Sequence, residues 1–267
     1  MLKVIENLSA DTAKRLFSVL PDTLCTAFAL FSLLDVHRVD GAWVQTEGDS
    51  VTALVVSEGQ TKAYVTASEN ADFEELQYFL RTLGGVVVHC APEQAERLGV
   101  TPFSKKSLME LCTLPDGGKQ AKTVNDNLRP IYDLLVQAAS TAVGTASSTA
   151  DFQKYNERAY KEWLSKTARG IFGGYTVVKA VYVGENALLA AGVADVLGNY
   201  VYIRDVVTDK DYRQMGYGTD CVRGLCADLK TDTNRIFLLC GDLKTERFYQ
   251  KSGFVRKGYI QQGIVEL

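Results

Sequence analysis

Apolar residues alternate with polar ones along some stretches of this chain and recur every three to four residues along others. The two periods mark strands and helices. In the front half, Leu2–Asn7 reads as a strand, and Ser9 or Asp11 can cap a helix that carries Leu16, Phe17 and Leu20 before Pro21 interrupts it. Thr23 to Leu34 resumes a strongly apolar helical pattern. Three strand-like runs follow, Ala42–Thr46, Val51–Ser57 and Thr61–Ala67, joined by Glu47-Gly48-Asp49 and Glu58-Gly59-Gln60, which read as hairpin turns. The next helix puts Phe73, Leu76, Phe79 and Leu80 on one face and Asp72, Glu74 and Glu75 in its first turn, where acids suit the helix dipole. Val86–Cys90 reads as a buried strand and Pro92–Leu98 as a short helix ending at Gly99.

A turn or linker signal, Pro115-Asp116-Gly117-Gly118, separates this half from the next. Leu128–Ala138 reads as a helix opened by Arg129-Pro130, and Ala139–Thr149, rich in Ala, Ser, Thr and Gly, as a mobile loop that could gate a site. Asp151–Arg169 is a long amphipathic helix carrying Phe152, Tyr155, Ala159, Trp163 and Leu164. Strands are expected at Thr176–Val183, Leu188–Val196 and Tyr200–Thr208, then a helix at Gly218–Leu229, a buried strand at Ile236–Cys240 and a short helix at Thr245–Ser252. Phe254–Val265 reads as a closing strand pair or one bent strand. The order of elements repeats: Val86–Cys90, a helix and Gly99 parallel Ile236–Cys240, a helix and Gly253.

Composition narrows the class. At 267 residues the chain suits two domains or one large one. Its 46% hydrophobic and 23% charged residues exclude a disordered, collagen-like or coiled-coil protein. No apolar run approaches the ~20 residues that cross a bilayer, and no secretory signal opens the sequence, so no membrane is expected. A net charge of −3 gives no general reason to expect nucleic acid. The charge is uneven, however: residues 1–118 hold nine Lys and Arg against sixteen Asp and Glu, and residues 119–267 hold twenty against sixteen. Six cysteines, none in a C-x-x-C pair, fit a reducing, cytoplasmic setting. With two histidines only, His37 and His89, no metal site is expected, and no G-x-S-x-G stands near either to suggest a hydrolase.

The most specific chemistry lies in Asp205-Val206-Val207-Thr208-Asp209-Lys210-Asp211-Tyr212-Arg213-Gln214-Met215-Gly216-Tyr217-Gly218. A strand runs into a glycine-containing turn that opens a helix. Main-chain N–H groups at a helix start lack internal partners, and glycine lets the backbone approach phosphate oxygens. Arg213 adds a permanent positive charge. The spacing is neither a Walker loop nor a Rossmann fingerprint. A second segment, Thr245-Glu246-Arg247-Phe248-Tyr249-Gln250-Lys251-Ser252-Gly253-Phe254, sets Tyr249 on a short helix, where it could act as a general acid or simply pack.

Together the two segments resemble the GNAT acetyltransferase superfamily over about residues 120–267. Its phosphate loop, R/Q-x-x-G-x-G/A, is matched by Arg213, Gly216 and Gly218, and its later tyrosine motif by Tyr249, Gly253 and Phe254. Asp242 stands where Asn is common and Thr245 where Ala is common. The resemblance implies an α/β (α+β) fold of two GNAT-like domains in tandem, each a mixed, mostly antiparallel twisted sheet flanked by helices. Residues 116–267 would hold the acetyl-CoA site. Residues 1–115 would be a degenerate copy without one, because Ser68-Glu69-Asn70-Ala71-Asp72-Phe73-Glu74-Glu75 has no glycine and four acids.

By the same resemblance, Val206, Val207 and Thr208 would pair with the pantetheine arm of acetyl-CoA, and Arg213, Gln214, Met215, Gly216, Tyr217, Gly218 and Thr219 would hold its pyrophosphate. Asp242 and Phe248 would complete the cofactor site. Tyr249 would protonate the leaving thiolate, and Asp205 would be the candidate base. The implied activity is direct acetyl transfer to a primary amine of a small molecule or peptide, by a monomer or homodimer. The alternative is a non-catalytic acyl-CoA-binding regulatory module.

Overall fold

The computed structural model describes residues 1–5, 10–34, 39–114, 116, 120–143, 150–184 and 187–266. In chain order the front elements are β1 (Leu2–Val4), α1 (Ala10–Phe17), α2 (Leu24–Ser32), β2 (Val39–Glu47), β3 (Ser50–Glu58), β4 (Lys62–Ala67), α3 (Phe73–Thr82), β5 (Val87–Cys90), α4 (Pro92–Ala95) and β6 (Val100–Leu111). They are followed by β7 (Lys122–Thr123), α5 (Arg129–Val143), α6 (Ala150–Phe172), β8 (Thr176–Val183), β9 (Ala187–Leu197), β10 (Tyr200–Thr208), α7 (Tyr217–Leu229), β11 (Arg235–Cys240), α8 (Leu243–Gln250) and β12 (Phe254–Val265).

The chain forms two compact units, and no single cut in the sequence separates them. The first comprises residues 1–109, 239–246 and 256–267; the second comprises 110–238 and 247–255. Sequence had suggested a division at 115/116. For residues 256–267 the difference comes from β12, which pairs antiparallel with β5 through Gln261↔Cys90 and Gly263↔Val88 and so joins the first unit's sheet.

In the first unit the strands lie in the order β1-β2-β3-β4-β5-β12-β6. Hairpins make β2, β3 and β4 antiparallel, and a crossover through α3 makes β5 parallel to β4. Alternation along β3 and β4 turns Val55, Ala63 and Val65 to one face, where Leu76 and Leu80 of α3 and Leu98 close a core. Burying each such leucine is worth about 2 kcal/mol. The second unit runs β11-β10-β9-β8-β7 and repeats the plan: β8, β9 and β10 are antiparallel, and α7 crosses over to a parallel β11. Val178, Ala180, Ala191 and Val193 face Ile131 and Leu134 of α5 and Trp163 and Leu164 of α6. Their odd-numbered and even-numbered neighbours, Val181 and Ala190, face Cys221 and Tyr217 of α7. Each sheet is therefore mixed and mostly antiparallel, with helices on it, as expected.

Several boundaries differ. α5 continues to Val143, so residues 139–143 of the expected loop 139–149 are helical; alanine's high helix propensity outweighs the Ser and Thr content there. The remainder, 144–149, lies outside the described residues, as does His37. β6 was not anticipated: its buried Val100 is separated from Leu108, Met109 and Leu111 by an exposed to half-exposed run, 101–107, in which no alternation shows. Phe254–Val265 is one strand, not a pair.

Candidate functional site

The site is built where β10 stops behaving as a regular strand. On its β9 side the pairing shifts between Arg204 and Val207 and then resumes to Thr208. On its β11 side the parallel ladder runs from Tyr200↔Arg235 to Ile203↔Leu238 and ends there. The main chain of 204–208 is thus left without a β11 ladder partner and offers hydrogen-bonding groups to an extended ligand. At the shift, Asp205 has φ +53°, a left-handed conformation that costs a non-glycine residue about 1 kcal/mol.

Side chains hold that bulge in place. Asp205 Oδ2 accepts from Trp163 Nε1 of α6 at 2.9 Å and from the Arg204 guanidinium. Arg204 Nε in turn donates to Asp195 Oδ2 of β9 at 2.6 Å, and Asp195 Oδ1 accepts from Thr176 Oγ1 at 2.6 Å. Asp195 and Arg204 are diagonal neighbours in the register, since Asp195 lies opposite Tyr202. Both are almost fully enclosed, at 4% and 9% side-chain exposure. Burial alone would raise the Asp195 carboxyl, but the Arg204 charge and these hydrogen bonds hold it below the usual carboxylate range. Asp205, expected as a base, is engaged here in fixing the backbone.

Past β10, a short 3-10 turn at Lys210–Tyr212 leads to Arg213, whose Nε donates to the Thr208 carbonyl at 3.3 Å. Gln214 and Gly216 both adopt positive φ, +68° and +92°. Gly216 is the N-cap of α7 and provides no side chain to cap it; the first main-chain bond runs from Asp220 N to the Gly216 carbonyl. The N–H groups of Tyr217, Gly218 and Thr219 therefore form an uncapped, electropositive cradle. Gly218 is required by space: a Cβ there would lie 2.5 Å from Thr208 Oγ1 and 3.5 Å from the Phe248 ring. The turn, the strand end and α8 thus converge on one glycine.

The corresponding junction in the first unit is closed. Asp72 caps α3 and its carboxylate accepts from Glu75 N at 3.0 Å, so an acid already occupies the helix start.

Of the other expected residues, Val206 and Val207 are used as packing. Val206 lies against Gly192, and Val207 is buried in the core under α5 and α6, so each can offer only main-chain groups. Met215 stands 65% exposed beside the turn. Tyr249 is 7% exposed, its ring 4.9 Å from Phe248 and 5.8 Å from Phe254, both edge-to-face. Asp242 caps its own helix: Oδ1 accepts from Thr245 N at 2.9 Å and Oδ2 from Thr245 Oγ1 at 2.7 Å, and these bonds hold its carboxyl below the usual range. The two positions that depart from the family pattern, Asp242 and Thr245, are therefore partners. Arg204, Asp195 and Trp163 were not singled out from sequence; the adjacent charges of Arg204-Asp205 at a strand end were the available signal.

Residues 130–254 match the model of the acetyltransferase (GNAT) family. A comparison with curated proteins finds no match. Among solved structures, the chain is similar to a tandem GNAT protein from the clavulanic acid biosynthesis pathway, with a TM-score of 0.62, 10% identity and coverage of 100% of this chain and 99% of that one. It is similar to a GNAT-family acetyltransferase from Colwellia psychrerythraea, with a TM-score of 0.60, 12% identity and full coverage of both chains. A GCN5-related N-acetyltransferase from Sphaerobacter thermophilus gives a TM-score of 0.58 at 13% identity, covering 100% of this chain and 96% of that one. At these identities the likeness shows a shared fold.

Proposed function

We propose that this chain, whose residues 130–254 match the model of the acetyltransferase (GNAT) family, is an acetyl-CoA-dependent N-acetyltransferase that acts on a primary amine of a small molecule or peptide. The observation that carries the reading is the uncapped start of α7, where Gly216 sits at φ +92° and Gly218 leaves no room for a Cβ. The uncapped turn at Gly216 fits a pyrophosphate and serves no packing need, while Gly218 lets α7 lie close against the end of β10.

The roles follow from the geometry. The N–H groups of residues 217–219, with Arg213, hold the pyrophosphate. The open edge of β10 at 204–208 takes the pantetheine arm as an added strand. Bound in this way, acetyl-CoA supplies an activated thioester. The main-chain N–H near Val207, set by the bulge, polarises its carbonyl as an oxyanion-type donor. A neutral amine attacks directly; Tyr249 gives its phenolic proton to the leaving thiolate and regains one from the acylated amine by way of solvent. Burial pushes the Cys221 and Cys226 thiols of α7 up to about 12, which disfavours a thiolate nucleophile there and suits direct transfer. The capped start of α3 supports assigning acetyl-CoA to residues 116–267 and none to residues 1–115.

Acetyl-CoA titrated into the full chain should raise its melting temperature, and thiol release should appear with some member of an amine panel. Tyr249→Phe should lower kcat about a hundredfold with little change in acetyl-CoA KM. No thermal shift would reject the site. A shift without turnover on any amine would leave a non-catalytic acyl-CoA-binding module.

A further inference from the structure

One face of the first unit carries unpaired charges of both signs around an exposed aromatic ring. Cys90 of β5 packs in the core under α3 and lies opposite Gln261 of β12, so Gln261 points to that face, as do Tyr259 and Lys257 at the same alternation. Lys105 comes from the neighbouring β6, its Nζ 4.4 Å from the centre of the Tyr259 ring, and the Arg256 guanidinium stands 5.1 Å from the same ring. Arg256 is held by the buried Glu246. Lys105 and Lys257 are exposed and have no ion pair among the described residues. Phe103, two residues before Lys105 on the same side of β6, is 62% exposed.

α4 stands on this face as well, since its Ala95 and the following Leu98 join the same core. The exposed Glu93 and Glu96 have no ion pair among the described residues either. Arg97, the cation next to them in sequence, is turned to the Phe73 ring at 3.6 Å. Because α4 begins two residues after Cys90, these acids flank β12 on its β5 side, and Lys105 flanks it on the other. Unpaired acids and unpaired cations therefore lie side by side, with Phe103 next to the cations.

We propose that this face joins two copies of the chain about a two-fold axis, with Lys105 and Lys257 of each copy against Glu93 and Glu96 of the other and Phe103 buried between them. The proposal is independent of the acetyl-CoA reading. A two-fold axis makes every contact occur twice, so adjacent strips of opposite sign on one copy complement the same strips on its partner. Tyr259 steadies the Lys105 ammonium by a cation–π contact, so less side-chain freedom is lost when the partner's carboxylate arrives. A polyanion such as RNA suits this face less well, because Glu93 and Glu96 would repel it beside the same lysines.

The test is the oligomeric state of the full-length protein, followed by analytical ultracentrifugation over a concentration series at low and high salt. The wild type should dimerise at low salt and dissociate more readily at high salt, since exposed charge pairs are screened. Lys105→Glu and Glu93→Lys should each weaken the dimer about tenfold, because each reversal acts twice, and the double variant should recover most of the loss. Phe103→Ser should weaken it at both salt concentrations. Thermal melts of the monomeric variants check that each still folds. A wild type that stays monomeric at about 100 μM and low salt would overturn the proposal, as would a dimer that these changes leave intact or a double variant no better than the two single ones.

Discussion

A methyl group on Gly218 would meet Thr208 Oγ1 at 2.5 Å, and that contact ties the phosphate turn to the end of β10. Gly218→Ala is therefore expected to push Thr208 aside and raise the acetyl-CoA KM about tenfold, and the added change Thr208→Ala should recover most of it. An unaltered KM in the single variant would show that the strand end can move freely. Trp163 acts through another residue, since its indole N–H steadies the left-handed Asp205. Trp163→Phe should lower kcat about tenfold and leave the acetyl-CoA KM nearly unchanged, because it loosens the donor aimed at the carbonyl and not the phosphate grip. Equal effects on kcat and KM would assign Trp163 to packing alone. His89 makes a different demand. Burial, then the Lys106 and Lys62 charges, push its imidazole down to about 4. Below its ordinary value of about 6.5 the unfolded chain takes a proton that the folded chain refuses, so stability is full above that pH and falls between about 6.5 and 4, by about 3 kcal/mol. Urea midpoints at neutral and acidic pH should show this slope in the wild type and a shallower one in His89→Leu; identical slopes would count against it.

At the level of elements, the same crossover is built twice and finished differently. α3 starts on a carboxylate that accepts from the N–H of Glu75, whereas α7 starts on a glycine with no side chain to accept from any. That contrast was legible in the sequence, because only glycine adopts such a turn cheaply and because four acids near 69–75 are visible as letters. The role of Asp242 was not legible, since a carboxylate three residues before a threonine reads equally as ligand contact or helix cap. Asp242→Ala should cost about 1 kcal/mol of stability, measured by denaturant melting, and change the acetyl-CoA KM less than twofold. A large KM effect would return Asp242 to the cofactor site. The Asp195–Arg204–Asp205–Trp163 cluster was equally hidden: it joins β9, β10 and α6, and only the strand register brings Asp195 diagonal to Arg204.

For the molecule as a whole, pattern and composition revealed two units of mixed α/β plan, and the compact units obey that plan while ignoring the linker-like Pro115–Gly118 as their only boundary. Sequence periodicity specifies that residues 254–265 form a strand; it carries no information about which sheet has an open edge to receive it. β5 is that edge, and without β12 its N–H and C=O groups on that side would be unpaired. Removing residues 256–267 should expose Val88 and Cys90 amides to rapid hydrogen exchange and promote aggregation. Retained protection at these amides would mean that β12 is dispensable.

The placement of β12 also sets an order in time. During synthesis the first unit emerges before the second, yet residues 256–265, the part of β12 that completes its sheet, are made after every residue of the second. The unit begun first must then be the one finished last, and a nascent chain paused before residue 256 would hold a second unit that is otherwise made and a first whose β5 edge is still open to strangers.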